Sequence, residues 1–232
     1  MLVRLLPDKP PETDPSRPRY LDESALETPS LALADAARET LRMGDLVEGM
    51  LRKVMDAMMT NDKSLVDQVS RMDDGVDLLD EAIKLYVTKL TRGSLDEREG
   101  HRAMEIIAFA INLEHIGDII EKGLLPQVTK KASLGLKFSE DGYEELKKLF
   151  HLTIDNLRIA QTIFVTRDFK LAKQMMEGKV EVRRMEKQSS ERHLERLRDG
   201  RADSLQTSTL HLDMLRELKR INAHIVSVAH PI

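Results

Sequence analysis

Ile106-Ile107-Ala108-Phe109-Ala110-Ile111-Asn112-Leu113-Glu114-His115-Ile116-Gly117-Asp118-Ile119-Ile120-Glu121 decides the reading of this chain. Ile106, Phe109, Leu113, Ile116 and Ile120 recur at alternating steps of three and four, which is one apolar face of an α-helix. One residue further round runs a second stripe, Met104, Ile107, Ile111, Glu114, Asp118, Glu121 and Leu125, which turns from apolar to acidic halfway along. The preceding segment repeats the design. Its seam is Leu65, Val69, Met72, Val76, Leu79, Ile83, Tyr86 and Leu90, bordered by Asp73, Asp77 and Asp80. Each helix therefore carries carboxylates beside the face it buries.

Gly93 is a natural helix stop, and Ser94 followed by Glu97 reads as a capping box, so the two helices form a tight antiparallel hairpin. Counted from a turn near residues 94–95, Asp73/Asp77 and Glu114/Asp118 lie roughly 20 residues away on either arm. At about 1.5 Å rise per residue the pairs are nearly level. Four converging carboxylates repel one another and raise each other's pKa unless a cation or a basic side chain intervenes. An all-oxygen set suits a hard cation such as Mg, Ca, Mn or Fe, with Asp80 and Glu121 as further ligands or supporting residues. The competing reading is a metal-free helical scaffold whose acids are solvated or offset by Arg71, Lys84 and Lys122.

Composition narrows the class. Only 3% of the 232 residues are aromatic, against 12 Met and many Leu, Glu, Lys and Arg, a balance that favours long helices over sheets. The fold expected is all-α. A net charge of -4 with both signs interspersed offers no broad basic face for nucleic acid. The absence of Cys excludes disulfides and thiolate metal sites, and no apolar run approaches a membrane span. No Glu-x-x-His occurs, which argues against a carboxylate-bridged di-iron enzyme, and no other catalytic constellation is present. His115, His224 and His230 do not share one face at ligand spacing, and suit surface or interhelix hydrogen bonds.

Prolines at 7, 10, 11, 15 and 18 make residues 1–27 read as a linker. Thr28-Pro29 then starts a first three-helix unit, residues 28–132, whose third helix is expected to bend near Gly123 and Pro126. Residues 133–232 read as a second, degenerate unit with helices at about 139–165, 168–198 and 203–229. Superposing Thr60-Asn61-Asp62 on Thr166-Arg167-Asp168, and Arg92-Gly93 on Asp199-Gly200, suggests an internal duplication. Offsets of 105 to 106 place Asp73 on Lys179, Asp77 on Arg183, Glu114 on Lys219 and Asp118 on Ala223. The second unit has exchanged acids for bases. Lys179, Arg183 and Lys219 are expected to pair with Glu181, Glu186 and Glu217, the alternative being a bound anion.

Leu113-Glu114-His115-Ile116-Gly117-Asp118, followed by Ile119-Ile120-Glu121, resembles the LERIGD signature of PhoU-type phosphate-uptake regulators, and Asp73-Asp74-Gly75-Val76-Asp77 resembles their preceding acidic motif. The resemblance implies two tandem three-helix repeats that bind iron or other cations. By that resemblance Asp73, Asp77, Glu114 and Asp118 are the metal ligands. Arg17 to Asp22, Thr28 to Leu33, Arg38 to Met43 and Leu218 to Ala229 further resemble the PhoU-like C-terminal domain of bacterial sodium/phosphate cotransporters. That branch implies a regulatory, non-enzymatic domain on the cytoplasmic side of the inner membrane, following a membrane-embedded sodium-dependent phosphate carrier on the same polypeptide. The alternative is a free-standing PhoU-like regulator. Long exposed helix faces also permit a homodimer.

Overall fold

The computed structural model describes residues 17–230, so most of the Pro-rich stretch, residues 1–16, lies outside the described residues. The described chain is all-helical. A short 3₁₀ turn, Glu23–Glu27, precedes α1 (Pro29–Thr60), α2 (Lys63–Leu90) and α3 (Glu97–Ile119). A π turn at Ile120–Leu124 leads into α4 (Leu125–Ser133), and α5 (Glu140–Thr166), α6 (Phe169–Arg198) and α7 (Ala202–Val226) follow. Helices α1, α2 and α3 pack together, as do α5, α6 and α7, and the two units meet where α1 crosses α5 and α3 crosses α7.

Local chemistry explains the boundaries and displays the duplication. Asn61 and Arg167 both adopt left-handed backbone, φ 57° and 54°, and end α1 and α5. The next residue in each case, Asp62 or Asp168, caps the following helix by accepting 2.8 Å bonds from Ser64 N or Lys170 N. Thr60 and Thr166 make matching side-chain bonds to carbonyls four residues earlier. The second pair of turns is less alike, because Gly200 has φ 70° whereas Gly93 is not left-handed. The α3 cap also differs from the expected Ser94/Glu97 box. Asp96 accepts from Glu99 N at 2.7 Å while Glu99 accepts from Asp96 N at 3.0 Å, a box two residues further on that exploits the stronger carboxylate acceptor.

The predicted seams form the core. Ile106, Leu113, Ile116 and Ile120 on α3, and Val69, Val76, Leu79 and Ile83 on α2, are fully buried against Met43, Met50 and Val54 of α1. Residues 17–27, expected as linker, instead pack on the first unit. The carboxylate of buried Glu39 accepts from Arg19 N and Tyr20 N at 2.7 Å each, and Tyr86 donates to Asp22 O at 2.7 Å. A buried carboxylate needs such partners, and main-chain N–H groups supply them. Between the units, Glu48 receives Arg158 at 2.8 Å, and Arg102 lies over Phe164, 4.4 Å from the ring centroid.

The bend foreseen at Gly123 and Pro126 is a π turn. Leu125 N reaches Ile120 O across five residues, a widening that accommodates the proline lacking an N–H at the next position. Leu113→Ala should lower unfolding free energy by about 2–5 kcal/mol in a urea titration, because it empties a fully buried position on the seam; a loss under 1 kcal/mol would contradict the packing.

Candidate metal centre

The antiparallel hairpin of α2 and α3 arranges six carboxylates in a ladder. Glu114 interacts with Asp77, Asp80 and Asp118, Asp77 faces Asp118, and Asp73 faces Asp118 and Glu121. The four residues expected from sequence share one seam. Their register is not the simple level pairing expected, since the carboxylate that acts most strongly on Asp73 is that of Glu121, on the π turn.

Burial differs sharply along the ladder. Asp73 is 5% exposed, Asp80 is buried, Glu114, Asp118 and Glu121 are half-buried, and Asp77 is exposed. The burial of Asp73 depends on Gly117, because a Cβ there would stand 2.7 Å from Asp73 Oδ1 and 3.4 Å from Val76 Cγ1. The glycine lets α2 lay a carboxylate directly on the α3 backbone. Asp73 Oδ1 and Asp80 Oδ1 are buried without a hydrogen-bond partner. Burial and the neighbouring Glu121, Asp77 and Asp118 carboxylates push Asp73 up to about 7. Burial and Asp118 raise Asp77, and burial raises Glu114, with Asp118, Asp80 and Asp77 adding to it against His115.

Two lysines meet part of this charge. Lys122 Nζ donates to Asp118 Oδ1 at 2.5 Å, and Lys84 Nζ donates to Asp80 Oδ2 at 2.6 Å, as the scaffold reading expects. Arg71 makes no ion pair among the described residues. The orphaned oxygens and an all-carboxylate donor set fit a hard cation in chemistry. Among the described residues, no three His, Asp or Glu side chains converge closely enough to hold one as they stand. A bound cation therefore requires side-chain rotation of Asp77, Glu114 or Asp118 toward Asp73. His115 Nε2 lies 3.6 Å from Glu114 Oε2, at the edge of the ladder. His224 Nδ1 lies 3.0 Å from Asn112 Oδ1, and the His115 and His224 rings meet edge-on at 5.1 Å across α3 and α7.

A second polar cluster has no sequence signal, because its members come from three helices at unrelated spacings. Buried Glu145 of α5 takes both guanidinium terminal nitrogens of Arg196 at 3.1 and 3.0 Å, with His211 Nε2 at 3.5 Å. His193 stacks on His211 with centroids 4.7 Å apart. Burial would raise Glu145, but its bonds to His211 and Arg196 outweigh that and hold it below its ordinary range; burial beside His211 and Arg196 lowers His193 to about 4.

Two three-helix units in tandem, with a carboxylate ladder in the first and none in the second, define a duplicated helical-bundle protein. Residues 40–123 and 146–232 each match the PhoU domain, one match per unit, and the chain belongs to that family. It is 37% identical over 232 residues to a protein of Salmonella typhimurium named "Putative inorganic phosphate export protein YjbB". It is 36% identical over 231 residues to the protein of that name from Escherichia coli K12. These matches take in 99% and 98% of this chain but only 42% of the length of each relative. Among solved structures, PhoU from Pseudomonas aeruginosa superposes with a TM-score of 0.77 at 23% identity, covering 86% of this chain and 94% of that one. A phosphate transport system regulatory protein PhoU from Streptococcus pneumoniae gives 0.76 at 19% identity, covering 88% and 94%. Both share the fold.

The raised acid predicts an inverted pH dependence in chelator. The folded state favours protonated Asp73, whereas the unfolded chain titrates near 3.8, so this penalty is absent below about pH 4 and fully present above about pH 7. Unfolding free energy should fall across that window by up to a few kcal/mol. Asp73→Asn should flatten the slope and be the more stable protein at neutral pH. Urea titrations at several pH values in EDTA check this; a wild-type stability that rises from about pH 4 to 7 would contradict it.

Proposed function

We propose that this chain is a PhoU-type regulatory module of an inorganic-phosphate transport system, acting through helix-bundle contacts rather than by catalysing a reaction. The observation that carries the reading is the match to the PhoU domain in both units, together with the acid ladder at the α2–α3 seam, of which Asp73 and Asp80 are buried. Inorganic phosphate enters through the name of the relatives, which speaks of export. The reading takes phosphate as cargo and a membrane-embedded phosphate carrier as partner, and it does not depend on sodium coupling. No helix among the described residues is long and apolar enough to cross a membrane, so the carrier's spanning segments lie elsewhere, on a separate protein or on the same polypeptide.

In this proposal a hard cation, Fe, Mn, Mg or Ca, is held by Asp73, Asp77, Glu114 and Asp118, with Asp80 and Glu121 in support. Bound there, it would neutralise the ladder: Asp73 would give up its proton, Lys122 would yield its place at Asp118, and the α2–α3 hairpin would stiffen on the cytoplasmic face where it meets the carrier. Gly117 sets how closely the two helices approach, and the π turn sets where Glu121 stands.

Elemental analysis and phosphate-flux measurements test the two halves separately. Asp77→Ala/Asp118→Ala should keep the helical fold, lose stoichiometric metal, and alter phosphate flux through the carrier by about fivefold or more in cells. Metal loss with unchanged flux would remove the cation's regulatory role. Flux that is indifferent to deletion of the whole chain would overturn the regulator reading.

A further inference from the structure

At the pseudo-equivalent seam of the second unit, α6 and α7 enclose a groove of about 190 Å³ lined by Lys179, Val182, Arg183, Lys219, Ala223 and Val226. Lys179 and Arg183 stand four residues apart on one face of α6. The pairing expected from sequence is realised only in part. Lys219 does meet Glu186 at 3.0 Å, but Glu181 turns to Arg184 at 2.5 Å, and Glu217 is taken by Arg216 and Arg220 at 3.2 and 2.5 Å. Lys179 and Arg183 make no ion pair or hydrogen bond among the described residues. Two unpaired cations therefore flank a third that is held by one carboxylate. Buried Val182 and Val226 exclude water from the floor and strengthen electrostatic attraction above it.

We infer that this groove binds a phosphoryl oxyanion, with the Arg183 fork and the Lys179 ammonium as its primary contacts and Lys219 joining when it leaves Glu186. A multiply charged tetrahedral anion answers two or three converging cations better than a single carboxylate does, and a guanidinium matches its paired oxygens. The choice of phosphate over another oxyanion rests on the phosphate-transport reading. The site itself rests on the groove and its unpaired bases. The two units thus present opposite signs at matching positions, acids between α2 and α3 and bases between α6 and α7.

Titration of the full chain with inorganic phosphate, at constant ionic strength near 0.15 M and followed by NMR, tests this. A parallel arm uses vesicles of phosphatidylglycerol in phosphatidylcholine. Saturable phosphate binding weakened about tenfold or more by Lys179→Ala/Arg183→Ala supports a free-phosphate site. Vesicle binding lost in that variant, without phosphate binding, supports the same site with a lipid headgroup as the source. Both side chains are unpaired, so the variant should retain its helical fold by circular dichroism. Glu186→Gln, which frees Lys219, should tighten binding several-fold. Absence of binding in both arms, or binding indifferent to Lys179 and Arg183, overturns the inference. Either result is independent of flux control, so the regulator reading stands or falls separately.

Discussion

The contact on which the first unit depends is that of Asp73 with the backbone of α3 at Gly117. A helix pair can bring a carboxylate this close only where the facing residue has no side chain, and the surrounding apolar seam then removes the carboxylate from water. Having done so, the fold sets further acids beside it rather than a matching base. The hydrophobic seams, with Leu113, Ile116, Val76 and Leu79 fully buried, hold the hairpin together against this repulsion. The result is a joint whose electrostatics favour a proton on Asp73 and a lysine at Asp118 and Asp80.

The duplicated second unit solves the same packing problem with other charges. Its α5–α6 turn has the same αL stop and Asp cap as the α1–α2 turn, yet its α6–α7 seam carries Lys179, Arg183 and Lys219 where the first carries acids. Its buried polar residues have moved to the α5 side, where Glu145 is satisfied internally by Arg196 and His211. A satisfied buried pair fixes a geometry and needs no ligand, whereas an unsatisfied one is open to occupancy. The units also touch through chemistry as well as packing. Gly123, in the π turn that carries Glu121, admits Glu217 of α7, and Glu217 in turn holds Arg220, which also lines the basic groove.

Helix count, duplication and core seams were legible because they rest on periodicity and cap residues, which are local. Ile106, Phe109, Leu113, Ile116 and Ile120 alone fix the buried face of α3. The acids of the ladder were legible as a group for the same reason, since i,i+4 spacing determines which face they share. Their pairing was not, because a register shift of about two turns, the seven residues from Glu114 to Glu121, decides which carboxylate stands beside Asp73, and the π turn that carries Glu121 shifts that register again. The Ser94 cap failed for a related reason, as two eligible acceptors lie two residues apart and only the helix axis chooses between them. Residues 17–27 were misread as linker because proline content says nothing about a buried Glu39 waiting on α1. The Glu145, Arg196, His211 and His193 cluster was invisible, being assembled from three helices by tertiary packing alone.

The central claim is that the ladder exchanges a proton on Asp73 for a hard cation. Calorimetric titration of the chelator-stripped chain with Mn²⁺, in two buffers of different ionisation heat, measures that exchange directly. The account predicts release of about one proton per cation near pH 6, diminishing toward pH 8, and loss of that release in Asp73→Asn. A titration without cation-dependent heat, or proton release that persists unchanged in Asp73→Asn, would contradict it.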